Sequence, residues 1–152
     1  MMAILDANVL LRLSDPAAAL YCTANNAVAI LQKHGFELRS IPQSIYEFWV
    51  VAMRPMSNNG LGLSASETGS EIASILSSFP LINDTPALFS EWRALVTAHG
   101  CIGKIAHDAR IAAALQTHGL THLLTFNVGD FARFPGITIL DPKVIAASVP
   151  VP

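Results

Sequence analysis

A chain of 152 residues with 52% hydrophobic and only 13% charged side chains is long enough to bury about two-thirds of its unfolded surface as a single domain, residues 1–152, without covalent or metal staples. Its net charge of −2 supplies no overall basic field, and its two cysteines, Cys22 and Cys101, are too few for a disulfide framework and suit a reducing cytoplasm. No run reaches the roughly 18 apolar residues of a membrane span, and an acid at position 6 with no basic region before it excludes a secretory leader.

Met2-Ala3-Ile4-Leu5 is a short apolar run of the kind that forms a buried parallel strand, and Asp6-Ala7-Asn8 follows it directly. A helix is expected over 16–33, stopped by Gly35, and then a short strand over 37–40. Pro42 opens and Pro55 closes an apolar helix containing Glu47, an acid that is costly there without a partner. Residues 57–63 read as a flexible loop between helices, and the capping-box pattern Ser64-Ala65-Ser66-Glu67 starts the next helix. A strand over 79–82 and a helix over 86–98 before Gly100 come next. The alanine-rich run from His107 to Leu115 predicts a helix that ends near Gly119, with Asp108 in its first turn, where the backbone dipole favours negative charge. Residues 123–126 form a second buried strand, Asn127-Val128-Gly129-Asp130 leaves its end as a polar turn, and a last strand spans 137–140. Strands alternating with helices predict an α/β fold, a three-layer α/β/α sandwich around a central parallel sheet.

Four acids stand out in that frame: Asp6, Glu47, Asp108 and Asp130, each placed where an apolar run meets a turn or helix. An acid at the carboxyl end of a parallel strand points into the crevice where open α/β sheets bind ligands. Each also has a purely structural role open to it. Asp6 can cap a turn, Asp108 can complement its helix dipole, Glu47 can reach solvent, and Asp130 can form a turn. His118 and His122 have the four-residue spacing of a helical zinc pair, but Gly119 stops the helix between them, so a helix-end and a loop histidine are the better reading. His107 beside Asp108 is a secondary candidate for a phosphate contact.

In order, Leu5-Asp6-Ala7-Asn8, Ser44 with Glu47, Ala106-His107-Asp108-Ala109-Arg110 and Thr125-Phe126-Asn127 with Asp130-Phe131 resemble the PIN-domain family of metal-dependent ribonucleases, and within it the VapC-like toxins of toxin–antitoxin pairs. The resemblance runs nearly end to end. It implies an endoribonuclease with catalytic Asp6, Glu47, Asp108 and Asp130. Asp6, Asp108 and Asp130 would serve as ligands to Mg²⁺ or Mn²⁺, with Glu47 orienting water. Oxygen-only ligation suits those ions, which activate water and neutralise phosphate charge. Asn8, Thr125 and Asn127 would orient carboxylates or water from behind. The neutral Asn127, where the most acidic members carry a further carboxylate, leaves one metal or two open.

The resemblance also implies an RNA substrate, a homodimer, and an antitoxin segment lying across the active-site groove. Affinity for RNA comes from local cations, not net charge, and Arg12, Lys104 and Arg110 are the candidates nearest the acids; Arg54 and Arg133 read as ordinary surface charges. The low charge content, against about 25% in a typical domain, predicts exposed apolar surface of the kind that marks partner sites. Two other readings are a catalytically silent binding module on the same fold and a haloacid-dehalogenase-type phosphohydrolase using Asp6. The second needs an acid where Asn8 stands; a receiver domain fits less well still.

Overall fold

Met2–Leu5 forms β1, which the apolar run selects, and Asp6 caps the helix that follows it at once, α1 (Ala7–Leu13). The structure is a computed structural model that describes residues 1–148. The chain continues through α2 (Tyr21–Lys33), β2 (Glu37–Arg39), α3 (Pro42–Ala52), a 3-10 turn (Met56–Asn58), α4 (Ala65–Ser78), α5 (Leu88–His99), α6 (Ile105–Thr117), β3 (His122–Leu124), α7 (Val128–Phe131), β4 (Thr138–Leu140) and α8 (Pro142–Ala147). All strand pairs are parallel, in the order β2-β1-β3-β4.

Side-chain alternation along the strands builds two cores, one on each face of the sheet. Ile4 and Leu123 turn toward α5, α6 and α7, packing with Leu95, Ile111, Leu115 and Phe131. Ala3, Leu5 and Leu124 turn toward the other layer, packing with Leu10, Val28, Phe48 and Ile75 of α1, α2, α3 and α4. This is the expected three-layer α/β/α sandwich. The chain passes from β1 outward to β2 and later returns to the other side of β1 with β3, so strand order reverses between β1 and β3. The crevice outside the carboxyl ends of those two strands is where such sheets bind ligands.

Several local expectations are corrected. The helix expected over 16–33 begins at Tyr21, because Asp15 organises a turn before it: Ala17 N donates to Asp15 Oδ1 at 3.2 Å and Ala18 N to the Asp15 carbonyl at 2.9 Å. The strand over 79–82 is reduced to one parallel bridge, Ser40 to Leu81. Pro80 lacks an N–H and leaves room for little more than the flanking bonds to Ser40. The turn after β3 is helical, so Asp130 lies in α7, and His122 opens β3 and is not a loop residue. The segment over 57–63 is tied down, with Gly62 N donating to the Arg54 carbonyl at 2.8 Å and Leu63 N to the Ala52 carbonyl at 3.0 Å. Gly60 is required there, since a Cβ would lie 2.0 Å from the Arg54 oxygen.

The capping box forms as expected: Ser64 Oγ accepts from Glu67 N, and the Glu67 side chain accepts from Ser64 N. Ser44, fully buried, donates its hydroxyl to the Leu5 carbonyl at 2.8 Å and clips α3 to the end of β1. Ser44→Ala is expected to cost about 1–3 kcal/mol, the penalty for a buried polar group losing its partner, read as a lower Tm in thermal denaturation. An unchanged Tm would show that the clip is dispensable.

Candidate active site

The register Leu5 to Leu124 sets Asp6 and Thr125 side by side at the carboxyl ends of β1 and β3, in the crevice where the strand order reverses. Asp6 is 4% exposed. Its Oδ1 accepts from Ala7 N at 2.7 Å, and its Oδ2 accepts from Thr125 Oγ1 at 2.8 Å and from Asn8 Nδ2 at 3.2 Å. Capping α1 and facing the crevice are therefore one arrangement: three of the carboxylate's roughly four lone-pair directions hold it in place.

Asn8 and Thr125 are wired together. Asn8 Nδ2 donates to Thr125 Oγ1 at 3.0 Å, and Asn8 Oδ1 accepts from Phe126 N at 3.1 Å. Thr125 Oγ1 also accepts from Asn127 N at 3.0 Å. Asn8 thus spends its side chain on the two strand ends, and an amide that does so has no proton-transfer role, which removes the basis for a haloacid-dehalogenase reading.

A cleft of about 700 Å³ opens over these strand ends, and its wall includes Asp6, Asn8, Glu47, Asp108 and Asn127. α3 brings Glu47 to it and α6 brings Asp108, from the first turn of an alanine-rich helix whose other face is buried. Asp130 is not part of the cleft wall: its side chain is 44% exposed, and its Oδ2 lies 4.0 Å from Nζ of Lys104, which does line the cleft. An ion pair so exposed contributes little.

The four acids form one electrostatic group. Burial pushes the Asp6 carboxyl up to about 6 against the opposing hydrogen bond from Thr125, with Glu47 and Asp108 raising it further. Asp108 also rises to about 6, from burial and then the charges of Asp130 and Glu47, although Lys104 and Arg133 oppose the rise. Acids whose protonation is favoured by one another are a donor set that a bound cation would relieve. Among the described residues no group of three or more His, Cys, Asp or Glu side chains is arranged so that it could hold a metal ion. The oxygen-only, partly exposed set instead fits a hard cation that keeps most of its water and takes one or two protein carboxylates.

The cations are placed differently from expectation. Arg12 lies exposed in the last turn of α1, where it complements the helix carbonyl end, and it is not part of the cleft wall. Lys104 and Arg54 do line the cleft, the latter because the tied-down loop after α3 holds it there. Arg110 also reaches the wall, but its guanidinium is engaged: Nη2 donates to Asp84 Oδ2 at 2.8 Å and Nη1 to Gln43 Oε1 at 3.0 Å. Gln43, 5% exposed, donates in turn to Glu47 Oε1 at 2.9 Å and to the His107 carbonyl at 2.8 Å. Gln43 was not read as part of the site, and Ser44 was read there beside Glu47 but without its bond to Leu5, although a buried amide one turn before an acid in an apolar helix is the pattern that marks such a partner. His118 binds the Asn83 carbonyl through Nε2 at 2.8 Å, and His122 meets the Thr121 hydroxyl at 2.9 Å, so the two serve separate local contacts.

The folded state binds protons at Asp6 more tightly than an unfolded chain does, so between the usual carboxylate range and about 6 stability falls as pH rises. One pKa unit corresponds to about 1.4 kcal/mol, so ionised Asp6 costs on the order of 2–3 kcal/mol. Thermal melts in EDTA should give a higher Tm near pH 5 than near pH 7.5, and Mn²⁺ should raise the Tm only at the higher pH. A Tm in EDTA that climbs over that interval would contradict this electrostatic picture.

No protein-family model matches the chain, and no curated protein does. Solved structures do. VapBC2 from Rickettsia felis, bound to a promoter DNA fragment, aligns over 92% of this chain and 98% of the other with a TM-score of 0.68 and 17% identity. A toxin–antitoxin complex from Klebsiella pneumoniae aligns over 92% and 97% with a TM-score of 0.60 and 26% identity. VapC20 of Mycobacterium tuberculosis, a toxin that cleaves the sarcin–ricin loop, aligns over 80% and 86% with a TM-score of 0.58 and 15% identity.

Proposed function

Because the chain has the PIN-domain fold of VapC-type toxins, we propose that it is a metal-dependent endoribonuclease and the toxin of a toxin–antitoxin pair. The observation that carries this reading is the convergence of Asp6, Glu47 and Asp108 on one cleft at the strand reversal, with the charge of Asp130, outside the wall, acting on Asp108. Asp6 and Asp108, with Asp130 beside them, would hold Mg²⁺ or Mn²⁺, which when bound lowers the pKa of water and offsets charge on the phosphate. The chain's own residues do the rest. Thr125 and Asn8 keep Asp6 in one rotamer, Glu47 faces the reacting water as its proton acceptor, and Lys104 and Arg54 at the wall meet the RNA phosphates.

An antitoxin partner is supported by the toxin–antitoxin complexes that share the fold and by apolar surface next to the cleft. Tyr46 and Val50 on α3 are exposed while lining it, with Trp49, Met53 and Met56 beyond. Exposed apolar stripes at helical spacing suit a partner segment, or a second copy of the chain. Among the described residues no helix is long and apolar enough to cross a membrane.

Induced expression in a bacterial host tests the toxin role. The wild-type chain should arrest growth and leave new RNA ends, and the same chain carrying Glu47→Gln should do neither. Normal growth with both chains at equal soluble expression would overturn it.

A further inference from the structure

Glu47 is not free in the cleft: one of its oxygens is held by a relay that crosses three elements. Asp84, in the loop before α5, accepts from Arg110 of α6; Arg110 donates to the Gln43 side-chain oxygen; and the Gln43 amide nitrogen donates both to Glu47 Oε1 and to the His107 carbonyl. Every hydrogen-bonding direction of the Gln43 amide nitrogen is used, and its oxygen faces a guanidinium that only donates, so the amide has a single orientation. Gln43 is buried, at 5% exposure.

Gln43 stands between Arg110 and Glu47, bonded to both, so its removal would leave the guanidinium and the carboxylate with no group between them. A guanidinium grips a carboxylate in bidentate fashion, which would neutralise Glu47 and turn it from the cleft. The amide prevents that. It presents its oxygen to the cation and one N–H to the acid, passing on polarisation without the charge, and among the described residues Glu47 Oε2 accepts no hydrogen bond.

We propose that Gln43 is a positioning residue that holds the Glu47 carboxylate toward the acidic cleft and keeps the Arg110 guanidinium off it. The inference rests on the nuclease reading for its consequence and on the relay alone for its geometry. It also assigns Arg110 to the scaffold of the site and away from RNA.

The test has two arms. In steady-state cleavage of a labelled RNA with Mn²⁺, Gln43→Met should lower kcat by about 10- to 100-fold, the range for partners that orient a site's ligands, with KM for RNA unchanged. In a Glu47→Ala background the same substitution should alter kcat by less than about twofold, because its route of action is gone. Asp84→Asn, near the surface and without risk to the core, should act in the same direction with a smaller effect and should also lose it in that background. Equal losses in both backgrounds, or full activity of Gln43→Met, would overturn the proposal.

The second arm needs no activity. In ¹⁵N–¹H spectra the Gln43 side-chain amide should be protected from exchange, and Glu47→Ala and Asp84→Asn should each shift it. A rapidly exchanging Gln43 amide indifferent to both variants would refute the relay. If the wild type cleaves no RNA yet this signature holds, the nuclease reading fails and the positioning geometry stands.

Discussion

Asp108→Asn is expected to lower RNA cleavage by at least about 100-fold while leaving the fold intact or slightly more stable. Asp108 takes part in no side-chain hydrogen bond among the described residues, so the scaffold has only its small helix-dipole contribution to lose. It sits at the start of α6 facing the cleft, and burial with the charges of Asp130 and Glu47 already lifts its carboxyl to about 6. Removing that charge relieves repulsion among the acids and, on the proposed reading, would take away one of the carboxylates that hold the cation. Loss of about 3 kcal/mol of transition-state stabilisation is about 100-fold in rate. Thermal denaturation beside cleavage assays checks both halves. A Tm that falls by many degrees would show a structural acid, and retained cleavage would remove Asp108 from the reaction.

If Asp6 holds the cation as proposed, Thr125→Val is expected to lower cleavage by about 10- to 100-fold, the usual effect of removing a group that orients a metal ligand, although valine has almost the same shape. The hydroxyl is fully buried, donates to Asp6 Oδ2, and accepts from Asn8 and from Asn127 N. Its loss leaves Asn127 N and one Asn8 N–H without that partner and removes the bond that opposes the upward push on the Asp6 carboxyl. The ionised form of Asp6 should therefore appear only at higher pH, and the acid limb of the pH–rate profile should move upward. Thr125→Ser should restore most of the rate. A profile that keeps its position would mean that Thr125 acts only as packing.

Three of the four acids were legible because each is punctuated by local pattern; Asp130 was read in a polar turn and lies in the short helix α7. A four-residue apolar run ends at Asp6, two prolines frame the helix of Glu47, and an alanine-rich helix begins around Asp108. The parallel sandwich followed from the same alternation. What the pattern did not carry was contact across distance. Ser44 meets Leu5, Gln43 meets His107 and Arg110, and Thr125 meets Asp6, pairs separated by 39 to 119 residues. Arg12 and Arg54 show the same limit. Arg12 is close to Asp6 in the chain, yet α1 turns it outward, whereas Arg54 is brought to the cleft by a loop whose course depends on Gly60 packing against the Arg54 carbonyl. Pro80 shows a third limit: its neighbours read as strand, but the missing N–H allowed only a single bridge.

The central claim is that this acidic cleft cuts RNA with the help of a divalent cation, and the most direct measurement is cleavage of labelled structured RNAs by the purified chain in Mn²⁺ or Mg²⁺ set against EDTA. Discrete products that appear with either metal and vanish with EDTA are the predicted result. RNAs left intact under every condition, by a preparation that also takes up no Mn²⁺ in calorimetry, would contradict it and leave the four acids as parts of a binding module.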